Sequence, residues 1–176
     1  ALDEGAEATI SSGDLETTDA ENGPSGLTYS VDAGPSNGTI LLNGSQTTSF
    51  TQADIDGGNV SYSHDGSETT SDAFDFTVTD EDGASASGTF SVSINPVNDP
   101  PTVSTNSGLS LDEGTAATIS STELETTDAE SDPSGLTYSV GTLPSNGTIL
   151  LNGSAVSTFT QADINSGNVS YQHDGS

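Results

Sequence analysis

An internal repeat without gaps constrains the fold of this 176-residue chain more than any other feature. The string LDEG begins at Leu2 and again at Leu111, so the two copies are offset by 109 residues, and HDGS recurs with the same offset at His64 and His173. Three longer strings repeat at this offset too: ETTDAE from Glu16, PSNGTILLNGS from Pro35 and FTQADI from Phe50. Self-similarity at a fixed period is typical of tandem structural repeats. We therefore expect one structure, formed twice.

The repeat predicts two domains. The first spans residues 1–97 and lacks the start of its first strand region, and the second spans residues 98–176 and lacks its C-terminal strands. The second copy ends at the counterpart of Ser67, so residues 68–96 have no match in it. The junction is placed near residues 95–101, where three prolines hold the backbone extended.

The strand pattern predicts an all-β fold. Apolar and polar residues alternate in four segments of the first copy: Leu27–Val31, Val60–Tyr62, Phe74–Val78 and Phe90–Ile94. Such alternation is typical of half-buried strands. Asn43-Gly44 and Asn152-Gly153 suit type I′ hairpin turns, and Thr51–Ile55 suits one short helical turn. A unit of about 100 residues with this pattern fits an immunoglobulin-like, seven-stranded Greek-key β-sandwich.

The apolar positions of these segments predict a thin core, with Ser and Thr on the outer faces. For the first copy the predicted core residues are Ile10, Leu15, Leu27, Tyr29, Val31, Ile40, Leu42, Phe50, Ile55, Val60, Tyr62, Phe74, Phe76, Val78, Phe90, Val92 and Ile94. Asp75 lies between two inward-facing Phe residues and is expected to face solvent.

The charge of the chain excludes several classes of function. It has 27 acidic residues and neither Lys nor Arg, which gives a formal net charge of −27. Phosphate contacts to nucleic acids need Lys or Arg, and an anionic membrane surface repels the chain. There is no apolar run of the roughly 20 residues that span a bilayer. Without Cys there is no disulfide, thiolate metal site or cysteine nucleophile.

Such a chain needs positive charge from solution, because uncompensated self-repulsion destabilises a compact state. Calcium takes six to eight oxygen ligands from carboxylates, amides and backbone carbonyls. The potential metal ligands of this chain are nearly all oxygen atoms. Acidic residues and one Asn near predicted strand ends are the candidate Ca²⁺ ligands: Glu4, Asp19, Glu21, Asp65, Asp80, Asp82, Asn98, Asp99, Glu113, Asp128 and Glu130. A halophile's acidic surface, stabilised by any salt at molar concentration, is the alternative.

The two histidines do not predict an enzyme. His64 and His173 each precede an Asp, and Ser67 lies near the first pair. Neighbouring residues on a strand point to opposite faces, and a catalytic triad is defined by geometry and not by sequence order. We expect structural histidines near an ion site.

These motifs resemble a known family. The segment FSVSINPVNDPPTV, from Phe90, looks like the end of one cadherin-like domain running into the next. The order of LDEG, TDAE, PSNGTI, FTQADI and DAFDFTVTDEDG resembles the chondroitin-sulfate-proteoglycan (CSPG) type of cadherin-like repeat, which in bacteria resembles the stalks of large secreted RTX-type adhesins. The resemblance implies an extracellular sandwich, type I export and calcium at or near domain junctions. Its implied ligands are Glu4, Asp19 and Glu21, joined by Asn98 and Asp99.

The predicted function is therefore non-enzymatic. We expect a calcium-stabilised structural extender of a long secreted adhesin or surface fibre, which rigidifies a tandem array for adhesion or biofilm formation. Its partners would be neighbouring repeats, with any surface glycan or protein ligand bound through other domains. Two alternatives stay open: a filament subunit that joins identical chains by β-strand complementation, and a calcium-dependent module that binds glycans or a partner protein.

Overall fold

The computed structural model describes residues 1–176 and divides into two units, Ala1–Val97 and Asn98–Ser176. Both consist almost entirely of short β-strands, and the longest helices are two α-helices of five residues each. The predicted all-β class is confirmed.

Unit 1 is a sandwich of two sheets. Its strands are β1 Leu2–Asp3, β2 Glu7–Thr9, β3 Thr28–Ala33, β4 Gly38–Leu42, β5 Ser45–Gln46, β6 Ser49–Thr51, β7 Val60–His64, β8 Ser71–Thr79 and β9 Ser85–Asn95. A 3₁₀ turn spans Pro24–Gly26, and helix α1 spans Gln52–Asp56. One sheet has the order β1-β9-β8-β3-β6, with β1 parallel to β9, and the other has the order β2-β7-β4-β5. The sequence predicts seven strands and the structure has nine, because strands of two or three residues are too short to show alternation.

The core of unit 1 lies between these sheets. Every residue of the predicted core is either buried or packed half-buried against the buried cluster, and Asp75 is exposed as expected. The ring of Tyr29 stacks on Phe50 with centroids 5.1 Å apart, and Phe74 stacks on Phe90 at the same separation. Leu2 also belongs to this core.

Unit 2 repeats part of this architecture. Its strands are β10 Thr102–Asn106, β11 Ala116–Thr118, β12 Leu124–Thr127, β13 Thr137–Ser139, β14 Gly147–Leu151, β15 Ser154–Ala155, β16 Thr158–Thr160 and β17 Val169–His173, and helix α2 spans Gln161–Asn165. One sheet has the order β11-β17-β14-β15, and the remaining strands form the pairs β10-β12 and β13-β16. Strand pairing keeps the repeat offset, since Ala8 faces Tyr62 in unit 1 and Ala117 faces Tyr171 in unit 2.

The segment LETT shows that strand formation here depends on a partner. In unit 2, Leu124–Thr127 is strand β12 and pairs with β10. In unit 1, the same four residues at 15–18 form no strand, and no strand pairs with them. Local sequence alone therefore does not decide the conformation of this segment.

The repeated string FTQADI builds a capped helix. The Thr51 hydroxyl accepts a hydrogen bond from the Asp54 N–H at 3.2 Å, and the Asp54 carboxylate accepts one from the Thr51 N–H at 2.9 Å. This reciprocal capping box satisfies two N–H groups that a helix start leaves unpaired. Thr160 and Asp163 form the same box at the start of α2.

The Gln of this string links three elements inside the core. Gln52 is 2% exposed, its Oε1 accepts from the Thr17 N–H at 2.9 Å, and the same oxygen lies 2.7 Å from the Tyr29 hydroxyl. Its Nε2 donates to Asp56 Oδ1 at 2.9 Å. Gln161 repeats these contacts in unit 2 with Thr126 and Tyr138. A buried amide with this many partners fixes the position of the helix.

The residues of the string PSNG lie against the buried side chain of Tyr62. A Cβ on Gly38 would overlap the ring of Tyr62, so only Gly fits this position. The Tyr62 hydroxyl donates to Asp72 at 2.8 Å, and the same carboxylate accepts from the N–H groups of Ser36 and Asn37 at 3.0 and 2.9 Å. Burial raises the pKa of Tyr62, and Asp72 adds to the rise. Burial alone would raise the pKa of Asp72, but its N–H donors and the Tyr62 hydroxyl outweigh burial and hold that pKa below its usual value.

We predict that Gln52→Leu lowers the free energy of unfolding by about 1–3 kcal/mol, because it leaves buried donors and acceptors without partners. Chemical denaturation of the purified chain measures the change. Gln46→Leu, at an exposed position of β5, is the matched control and should change stability little. Equal effects of the two substitutions would contradict the anchoring role of Gln52.

A second prediction concerns the glycine beneath Tyr62. Gly38→Ala should lower the free energy of unfolding by about 1–3 kcal/mol, because the added methyl overpacks the site. Gly34→Ala, in the loop that precedes β4, should be close to neutral, since nothing lies within 4 Å of the added Cβ. Thermal melts of both variants test this difference. The prediction is wrong if Gly38→Ala leaves Tm unchanged while Gly34→Ala lowers it.

Candidate metal centre

A histidine ring joins two turns of unit 1. The Nδ1 of His64 accepts hydrogen bonds from the N–H groups of Gly5 and Gly66, at 3.1 and 3.2 Å. Its other nitrogen, Nε2, lies 2.9 Å from the Thr69 hydroxyl. The first turn belongs to LDEG and the second to HDGS, so the ring holds the two repeated motifs side by side. Both glycines have positive φ, 67° and 85°, a conformation that costs other residues more.

Unit 2 repeats this bridge. His173 Nδ1 accepts from the N–H groups of Gly114 and Gly175 at 3.2 and 3.0 Å. The recurrence of LDEG and HDGS thus has a structural cause.

This bridge leaves His64 unsuited to base catalysis. Nδ1 is occupied by two backbone donors and Nε2 by Thr69. Ser67 is not among the partners of the ring, so no Ser-His-Asp relay forms here.

Two carboxylates meet beside these turns in unit 1. Carboxylate oxygens of Glu4 and Glu68 lie within 4.8 Å of each other. The Oε2 of Glu4 and the hydroxyl of Ser67 are inaccessible to solvent and have no hydrogen-bond partner. No Lys or Arg exists in the chain to neutralise the pair. The result is a site rich in carboxylate oxygen atoms.

A second pair of carboxylates lies in unit 2. Carboxylate oxygens of Asp99 and Glu130 lie within 4.8 Å of each other. The Asp99 N–H donates to Glu130 Oε2 at 3.3 Å, and the Asn98 side chain donates to the Asp99 carbonyl at 2.7 Å. Three residues of the predicted ligand set are thus brought together at the start of this unit.

The Asp of the repeated string TDAE forms a turn. In unit 1, Asp19 Oδ1 accepts from the N–H groups of Asn22 and Glu21, and these bonds hold the pKa of Asp19 below its usual value. In unit 2, Asp128 Oδ1 accepts from the N–H groups of Ser131 and Glu130. One oxygen of each Asp is therefore committed to the backbone, and Glu21 lies exposed in the same turn.

Four other predicted ligands lie in turns and belong to neither pair. Asp65 is exposed and accepts from the Ser67 N–H, and Glu113 is exposed in the turn before β11. Asp80 and Asp82 lie in the turn between β8 and β9. Asp80 shares with Asp19 the lining of a shallow hollow of about 200 Å³.

Sequence reasoning missed Glu68. It lies just after the last residue of the first copy that has a match in the second, so the comparison of the two copies does not single it out. The signal that could have identified it is its place directly after HDGS, the motif whose turn the His64 ring ties to the Glu4 turn.

Both pairs meet the distance requirement of a calcium site. Oxygens bound to one Ca²⁺ at about 2.3–2.6 Å lie at most about 5 Å apart. Carboxylate oxygens are also ligands that this hard cation prefers. The residues present therefore fit the ion that the sequence predicts.

No helix of the chain has the length and apolarity needed to cross a membrane.

Comparison with known proteins gives the family. A family model described as cadherin-like matches residues 1–94 and 101–176. The extracellular matrix organizing protein FRAS1 of Homo sapiens is 38% identical over an alignment covering 99% of this chain. Chondroitin sulfate proteoglycan 4 of Homo sapiens is 39% identical over 66% of it, and extracellular matrix protein 3 of Lytechinus variegatus is 32% identical over 99%. The chain spans about 5–6% of the length of these relatives.

These relatives support the CSPG-type part of the resemblance and the extracellular location. They are animal proteins, two of them named as extracellular matrix proteins, and none of the three is a bacterial adhesin. The resemblance to RTX-type adhesin stalks therefore gains no support from them. With nearly the whole chain matched by the family model, the chain belongs to the cadherin-like family.

Proposed function

We propose that this chain is a calcium-stabilised structural repeat of a long extracellular protein. The observation on which the proposal depends is the Glu4–Glu68 pair, two close carboxylates in a chain without Lys or Arg. The Asp99–Glu130 pair is a second candidate, in unit 2, formed at positions that the repeat does not relate to Glu4 and Glu68. In each pair the protein supplies oxygen ligands close enough to bind one ion, and calcium would supply two positive charges between them.

Calcium binding of ordinary strength would contribute much of the stability. Extracellular calcium modules bind with Kd of about 10⁻⁴–10⁻³ M. Free calcium at about 100 times Kd adds roughly 2.7 kcal/mol per site. Domains are stable by only about 5–15 kcal/mol in total. One or two such sites would decide whether these thin-cored units stay folded.

The role that follows is mechanical and not enzymatic. The three relatives are named as a matrix organizing protein, an extracellular matrix protein and a proteoglycan, and none of these names is that of an enzyme. Repeats that become rigid only with calcium would stiffen a long chain outside the cell and present distant domains for adhesion. In a bacterial surface protein the same property would serve biofilm formation.

Glycan binding has less support. That function favours exposed aromatic rings, but all nine aromatic side chains are buried or half-buried. The large apolar side chains that are exposed are Val97, Val103 and Leu143.

We predict a crossover in stability for Glu68→Gln and Glu4→Gln. In chelator each variant should melt at or above the unsubstituted chain, because removal of one charge relieves the repulsion in the pair. In saturating calcium each should melt below it, because a ligand is lost. Calorimetric titration should show calcium affinity reduced about tenfold or more, equivalent to about 1.4 kcal/mol.

Glu16→Gln is the matched control, because Glu16 is exposed and outside both pairs. It removes the same charge and should leave calcium affinity unchanged. If the double variant of Glu4 and Glu68 keeps the full calcium response of unit 1, the proposed site is wrong.

A further inference from the structure

Each copy of the repeat contains three sequences of the form Asn-x-Ser/Thr. This is the acceptor motif for N-linked glycans, and in a secreted protein it marks a surface loop. The extracellular location of the chain makes the motif relevant here. The six acceptor residues are Asn37, Asn43 and Asn59 in the first copy and Asn146, Asn152 and Asn168 in the second.

The structure separates these three repeated pairs by exposure. A chain rich in Asn, Ser and Thr contains such motifs by chance, so the motif alone selects none of them. A glycan is bulky and must extend into solvent in the folded protein. Asn43 and Asn152 form the one pair that is exposed in both units, whereas Asn37 is half-buried in unit 1 and Asn168 is half-buried in unit 2.

Asn43 lies at the tip of the hairpin that joins β4 to β5. Asn43 and Gly44 form its two-residue turn, and Leu42 pairs with Ser45 on either side of it. A Cβ built on Gly44 would have no atom within 4 Å, so the space beside Asn43 is open.

The same hairpin tip occurs in unit 2. Asn152 has the φ of Asn43, 50°, and Leu151 pairs with Ser154 across the turn. The space beside Gly153 is open in the same way. Both copies therefore present the acceptor Asn in one geometry.

The other two acceptor residues of unit 1 are engaged with their surroundings. The Nδ2 of Asn59, the atom to which a glycan would be joined, lies 2.9 Å from the position of a Cβ on Gly57, at the end of α1. Asn37 belongs to the network beneath Tyr62: its N–H donates to Asp72 at 2.9 Å, and its carbonyl accepts from the Asp65 N–H at 3.0 Å.

We propose that Asn43 and Asn152 carry N-linked glycans, with Ser45 and Ser154 as the hydroxyl residues of the two motifs. The transfer forms a bond between Asn Nδ2 and the anomeric carbon of an oligosaccharide. It breaks the bond from that carbon to the diphosphate of a lipid-linked oligosaccharide donor, which leaves with the electron pair. The proton lost from Nδ2 passes to solvent.

A glycan at this tip would also cover an edge of the sandwich. β5 pairs only with β4, and β15 pairs only with β14. Edge strands are open to pairing with other chains, and charged residues or proline often protect them. Neither Ser45–Gln46 nor Ser154–Ala155 contains such a residue. A neutral glycan would hinder this pairing without adding charge to a chain already at −27.

The test is secretion of the full 176-residue chain from cultured animal cells, behind a cleavable export signal. The intact mass should show two glycans per chain, both removed by peptide N-glycosidase. That enzyme converts each glycosylated Asn to an acid, and peptide mapping should locate the conversion at Asn43 and Asn152. The mapping needs a protease that cleaves at acidic residues, because trypsin cleaves after Lys or Arg and the chain has neither.

Variants of the hydroxyl residues provide the second arm. Ser45→Ala removes the motif and leaves the Asn43-Gly44 turn unchanged, so one glycan should be lost. Ser154→Ala should remove the other glycan. The matched Ser45→Thr keeps the hydroxyl and should keep both. Ser45 and Ser154 are exposed, so all three variants made without glycans in bacteria should match the Tm of the unsubstituted chain.

Absence of a glycan at either Asn43 or Asn152 would overturn the proposal. Equal occupancy of Asn37 and Asn59 would also overturn it, because exposure in the fold would then not select the sites. If Ser45→Ala is not secreted, the map of the unsubstituted chain still decides. Glycan mapping does not depend on the Glu4–Glu68 pair, so the failure of one proposal leaves the other standing.

Discussion

The absence of positive side chains is the constraint on which the rest of this structure depends. With 27 acidic residues and neither Lys nor Arg, no carboxylate can form an ion pair with a Lys or Arg side chain. Carboxylates in this fold are found in two kinds of surroundings. Many carboxylates accept hydrogen bonds from backbone N–H groups in turns and helix caps, as Asp19 and Asp54 do. The Glu4–Glu68 pair instead places like charges together, an arrangement that a divalent cation from solution would stabilise.

The strings that recur in both copies are those whose side chains organise the backbone. His64 joins two turns, Gln52 links a helix to β3 and to the segment of Thr17, and Gly38 makes room for a tyrosine. The contacts of His64 and Gln52 are polar contacts of buried side chains, and a buried donor or acceptor that loses its partner is costly. The apolar core is thin, so such contacts specify the unit as much as hydrophobic packing does. This explains why motifs that resemble an active site, such as HDGS, serve a structural purpose here.

Patterns confined to a few neighbouring residues were predicted well. The alternation in β3, β7, β8 and β9 gave the core, and the Asn43-Gly44 turn has the positive φ values, 50° and 76°, that a type I′ turn needs. Features that depend on partners far along the chain were not predicted. Leu2 pairs with Ile94, far along the chain, and LETT becomes a strand only where β10 lies beside it. Glu68 approaches Glu4 through a histidine bridge, a geometry that no spacing in the sequence reveals. The predicted ligand set as a whole stays a prediction.

Thermal unfolding in defined ions tests the central claim most directly. The chain would be stripped with chelator and melted in millimolar calcium, in millimolar magnesium, and in sodium chloride of matched ionic strength. The calcium account predicts a rise in Tm that calcium alone produces and that saturates at millimolar concentration. Equal stabilisation by all three salts, growing without saturation towards molar concentration, would contradict it and identify a halophilic surface instead.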